Sequence, residues 1–141
     1  MRPAFVERRI LRRVGHLITS SAEGSVSETA GRLVASLERR SITVFAQIDH
    51  AEGARRVGLE LPDETVVVFG NPQAGTPLMQ ADPTVGIELP LRILVWDAEG
   101  TTMLGYDDPT RLADDYALAA VTGTLEQMRQ LLADLVAEAA G

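Results

Sequence analysis

The chain has 141 residues, of which 45% are apolar and 23% charged, and it contains no cysteine. That length suffices for one domain with a real core, and the lack of thiols excludes disulfides, zinc–thiolate sites and thiol nucleophiles. A formal charge of −7 argues against general nucleic-acid binding, which needs a basic surface to neutralise phosphates.

The charge is unevenly spread. Arg2, Arg8, Arg9, Arg12 and Arg13 against Glu7 make the first 13 residues +4 within a chain of −7, which leaves −11 for the rest. Residues 1–14 are therefore expected to form an arginine-rich N-terminal extension, mobile or loosely helical, with 15–141 as a single domain. Such an arm suits a nucleic acid, an acidic partner or the chain's own acidic body, or it is merely an extension. The opening MRPAFVERRILRRVG lacks the apolar core of a signal peptide, and no apolar run approaches the ~20 residues of a membrane span. No membrane partner is expected, and the cytoplasm is the expected location.

HLITS (16–20) reads as a first strand. In SVSE (25–28), Ser25 and Glu28 have capping-box spacing, and Val26, Ala30, Leu33, Val34 and Leu37 fall on one helical face, predicting an amphipathic helix over 26–40. SITVFAQID (41–49) is β-branched and alternating, a second strand. HAEGARRVG (50–58) predicts a turn or short helical connection. ETVVVFG (64–70) is a strand buried on both faces.

Thr76-Pro77 has the form of an N-cap followed by a first-turn proline, so a short helix is expected from Pro77, stopped by Asp82-Pro83. From Ile87 the alternation is strict, but Pro90 cannot donate a ladder bond, which puts the strand proper at 91–96 behind an extended approach. DAEG (97–100) forms a hairpin, TTMLGY (101–106) returns, and Asp108-Pro109 starts a short helix. A last helix opens at Thr124, with Gln127 at capping-box spacing and Leu125, Met128, Leu131, Leu132, Leu135 and Val136 as its stripe. The order β-α-β-β-β-β-α predicts an α+β fold, an antiparallel sheet with the two longer helices on one face.

On strand 91–96 the face carrying Leu91, Ile93 and Val95 can meet those helices. The opposite face carries Arg92, Leu94 and Trp96, and the chain has no third long helix to cover it. A homodimer is the expected cover.

Four blocks carry a resemblance to a known family: FAQIDHAEGA (45–54), FGNPQAGTPLM (69–79), IELPLRILVW (87–96) and YDDP (106–109). In order and spacing they resemble the domain of unknown function 302, over about residues 16–138. The resemblance implies a compact α+β fold with an antiparallel sheet gripped by helices, found alone or appended to other proteins, and it brings no established activity. Its pattern positions fall here on Asp49, His50, Gly70, Asn71, Pro72, Gly75, Leu89 and Pro90.

The expected site is a pocket beside the 70–76 turn, with His50, Asn71, Gly75 and Arg92 as ligand-binding residues and a small molecule as partner. In that turn Asn71-Pro72 and the glycines suit a sharp exit from a buried strand with positive φ or close backbone approach. The alternative is an anion cradle from the N–H groups of 73–76. The leading functional expectation is a non-catalytic ligand-binding or interaction domain working as a homodimer. Against it stands an enzyme with His50 as general base on a small anionic substrate held by Arg92, although Asp49, on the opposite side of an extended chain, is poorly placed to orient His50. His16, His50 and Met79 lack metal-ligand spacing, so neither a metal nor a cofactor is expected.

Overall fold

A computed structural model of the chain describes residues 12–141. Among these residues six strands form one antiparallel sheet: β1 (Arg12–Val14), β2 (Leu17–Ala22), β3 (Thr43–Asp49), β4 (Glu64–Gly70), β5 (Leu91–Ala98) and β6 (Thr101–Asp107). The sheet order is β1-β2-β6-β5-β4-β3. The fold is α+β and single-domain. Arg12–Val14 pair with β2 and so belong to the sheet, while the rest of the expected extension lies outside the described residues.

Helices α1 (Val26–Arg39) and α5 (Thr122–Ala139) pack on one sheet face. Leu33 and Leu37 of α1 meet Val67 and Phe69 of β4, Ile93 and Val95 of β5, and Leu132, Leu135 and Val136 of α5. The capping box is present: Ser25 Oγ accepts from Glu28 N at 3.0 Å, and Ser25 N donates to Glu28 Oε1 at 2.9 Å. Those bonds to the ionised form, the backbone one foremost, hold the Glu28 carboxyl below its ordinary value. At the far end of α1, Glu138 of α5 accepts from Ser36 Oγ and from Arg40, tying the two helices together.

Three local expectations differ from the structure. Helix α3 runs Pro72–Ala81, not from Pro77. Asn71 is its extended N-cap and accepts from Gln73 N at 2.9 Å, while Pro72 presets the first helical φ, so the start signal lies five residues upstream of the expected one. Pro77 sits inside the helix and has no N–H to donate to the carbonyl of exposed Gln73.

The extended approach expected before Leu91 is instead a 3-10 helix, Pro83–Glu88. Asp82 caps it through Thr84 N, and Ile87, which seemed to begin the strand alternation, is 83% exposed. Finally, α5 has no side-chain cap at Thr124. A 3-10 turn over Ala119–Val121 runs straight into it, so no extended cap residue is present there.

The short helix α2 (His50–Arg56) fills the connection left open between turn and helix, with Asp49 as N-cap. Helix α4 (Leu112–Asp115) follows a 3-10 turn at Pro109–Arg111. A smaller second core joins Leu78 of α3 and Val85 to Leu118, Leu125 and Met128. Asp82 closes that corner: Oδ1 accepts from Thr84 N and Oγ1, and Oδ2 from Ala117 N at 3.0 Å. These bonds, led by the Thr84 hydroxyl, lower the Asp82 carboxyl from its ordinary value.

Candidate functional site

Two clefts, each enclosing about 380 Å³, flank the sheet. The first lies where β4 ends and α3 begins. A β-bulge between Val44 and Ala46 sets Phe45 out of the ladder, 56% exposed, with its ring against Gly70. A Cβ on Gly70 would stand 3.2 Å from that ring and 3.4 Å from Pro90, so the close approach expected at this glycine is real. Gly75 differs. Its φ is not positive, and a Cβ there would meet Leu89 at an ordinary 3.5 Å, so its small size leaves space in the cleft and serves no special backbone angle.

Phe69, Met79, Met128 and Leu131 supply much of the remaining wall, with the cis Leu89–Pro90 bond along one side. Among the described residues no charged side chain lines this cleft, and Asn71 and Thr76 are its only polar side chains. The anion cradle expected at 73–76 is not formed. Gln73 N donates to Asn71 Oδ1, while Ala74 N and Gly75 N donate to Asn71 O, so the first-turn donors are occupied.

The second cleft is a hollow that opens on the sheet face opposite α1 and α5 and reaches Tyr106 and Leu132 of the helix side. Its floor is Leu17, Val66, Leu94 and Gly105, and Arg92, Asp107, Arg111 and Asp115 stand around it. Glu88, also on its rim, accepts from Tyr116 Oη at 2.8 Å, and that bond raises the Tyr116 phenol above its ordinary value.

The residues expected to converge are thus dispersed. Asn71 and Gly75 line the apolar cleft, Arg92 lines the hollow, and His50 lines neither. His50 is exposed at the start of α2. Asp49 does not orient it, because its Oδ1 accepts from Glu52 N at 2.9 Å as the helix cap. Among the described residues no group of His, Cys, Asp or Glu is arranged to hold a metal ion. No helix among them is long and apolar enough to cross a membrane.

Sequence reading had no signal for the bulge at Phe45, and it read Met128 and Leu131 simply as the apolar stripe of α5. Gly70, Asn71, Pro72, Gly75, Leu89 and Pro90, all pattern positions of the resemblance, come together around the apolar cleft. The model of the family described as domain of unknown function DUF302 matches residues 17–138. The chain belongs to the DUF302 family.

A crystal structure of an uncharacterized conserved DUF302 protein from Bacillus stearothermophilus has the same fold, with a TM-score of 0.80 at 24% identity, covering 89% of this chain and 99% of that one. Among curated proteins, the fluoride-specific ion channel FluC 1 of Brucella suis is 41% identical over 118 residues, covering 77% of this chain and 46% of its own length. FluC 1 of Brucella abortus matches at the same identity, with 44% of its length covered. The DUF302 chain therefore spans less than half the length of these relatives.

Proposed function

We propose that this chain is a non-catalytic binding module, working as a homodimer, that holds a small, uncharged and largely apolar molecule between β4, α3 and α5. The observation that carries the reading is the cleft of about 380 Å³ walled by Phe45, Phe69, Met79, Met128 and Leu131, with no charged side chain among the described residues that line it. Its volume falls within the ~300–1,000 Å³ of small-molecule sites. Methionine walls adapt to differently shaped apolar ligands. The alternative of an enzyme with His50 as base finds no support in this geometry, because His50 lies outside both clefts and its neighbour Asp49 is engaged in capping α2.

The test uses N-phenyl-1-naphthylamine, a neutral apolar fluorophore, on the wild-type chain and on Gly75→Leu. Gly75 is a helical residue with room beyond it, so leucine fills the cleft without backbone strain and gains helix propensity. Saturable probe fluorescence and a raised Tm are expected for the wild type, with the fluorescence lost in Gly75→Leu at an undiminished Tm. Undiminished binding in that variant would place the ligand elsewhere.

A second reading concerns setting. The relatives that share this module are fluoride channels more than twice its matched length, which supports a module acting beside such a channel. The apolar cleft itself offers fluoride few donors, since Asn71 and Thr76 are its only polar side chains among the described residues. Co-purification of this chain with a fluoride channel from the same cell is expected; a channel recovered without it removes this setting.

A further inference from the structure

We infer that the sheet face opposite α1 and α5 is the surface on which a second copy of this chain docks, an assignment that rests on the homodimer reading above. The register builds this face row by row. Ile48, Val66, Leu94 and Gly105 lie side by side across β3, β4, β5 and β6. The next row sets Glu64 beside Trp96 and Met103. The row on the other side sets Ala46 beside Val68 and Arg92. The core cluster, with both long helices, lies on the other face. Ile48 is 47% exposed, and Val66, Val68, Leu94, Trp96 and Met103 are half-buried.

The floor is also levelled. The benzo edge of Trp96 sits over Gly105, so a Cβ there would lie 3.0 and 3.2 Å from two ring atoms. A broad aromatic and aliphatic floor suits a second sheet, with side chains interleaved across ~10 Å. Contiguous apolar surface of this kind marks association sites.

Charge selects the occupant. Arg92 rises from the central strand β5, and Glu64 and Asp107 share its face. None of the three makes an ion pair or side-chain hydrogen bond among the described residues. Arg92 together with the carboxylates of Glu64 and Asp107 on the same face makes the surface self-complementary. A two-fold axis near β5 brings Arg92 of each copy toward carboxylates of the other, as an isologous interface requires. An anionic partner would meet these carboxylates with like charge. Of the residues that line the ligand cleft, only Leu91 also lines the hollow on this face.

Light scattering on the full chain at micromolar concentration tests the inference. The wild type is expected as a dimer, and Leu94→Glu as a monomer that still melts cooperatively. Arg92→Glu should raise the dissociation constant by about tenfold or more, and adding Glu64→Arg and Asp107→Arg to it should restore the dimer. Should Leu94→Glu fail to fold, the charge-reversal set, at surface positions, decides. A dimer indifferent to Leu94→Glu and to Arg92→Glu overturns this face while leaving the homodimer standing; a monomeric wild type overturns both.

Discussion

Truncating Phe69 to alanine should cost about 3–5 kcal/mol, the largest loss expected from any single change discussed for this chain. Phe69 is fully buried in the main core, and its ring also forms part of the cleft wall. Losing it removes apolar area from the contact between β4 and the two helices and leaves a hole that β4, hydrogen-bonded on both sides to β3 and β5, cannot close by moving. For a domain of this size the fall in Tm should be on the order of 10–20 °C. Phe45→Ala is the control. The two phenylalanines stand near the same cleft, but Phe45 is 56% exposed on its bulge, so its truncation should cost no more than about 1 kcal/mol. Denaturant melts of both variants decide the matter, and equal losses would mean that the cleft, not the core, sets the role of Phe69.

The contrast between these two residues also shows what could be read before the fold was known. Phe69 belongs to an uninterrupted apolar run bounded by turn residues, and such a run predicts a buried strand from neighbours alone. Phe45 sits in an equally regular alternation, yet the ladder with β4 slips by one residue at that point. A bulge is a property of two paired strands, so the sequence of one of them does not announce it. The cleft is harder still, because it joins residues from Ile42 to Leu131 contributed by six separate elements.

Helix starts divide the same way. Ser25 and Glu28 signal through bonds they make with each other, and the structure contains both bonds. Thr124 and Gln127 share the spacing but not the context, since a 3-10 turn already leads the chain into α5. At Asn71-Pro72 and Thr76-Pro77 two similar start signals compete, and the upstream one prevails because Asn71 Oδ1 bonds Gln73 N. The open face of β5, by contrast, was legible from alternation: Ile93 and Val95 are fully buried, while Arg92, Leu94 and Trp96 point away from the helices.

Gly105→Val is the other substitution with a large expected effect, and it runs against intrinsic preference. Valine favours a strand far more than glycine does, so propensity alone predicts stabilisation. The position does not permit it. A Cβ would stand 3.0 Å and 3.2 Å from the Trp96 ring and 3.4 Å from Leu17, before the two methyl groups of valine are added. Leu94, directly opposite in the ladder, blocks one escape, so the indole must swing outward. Overpacking of this kind costs about 1–3 kcal/mol. Trp96 is the chain's one tryptophan, so its emission reports the displacement directly. The variant should show a red-shifted emission maximum and a lowered Tm together. Trp96→Phe with Gly105→Val, which shortens the opposing ring, should recover part of the lost stability. An unshifted spectrum with wild-type melting in Gly105→Val would mean that the indole does not rest on Gly105.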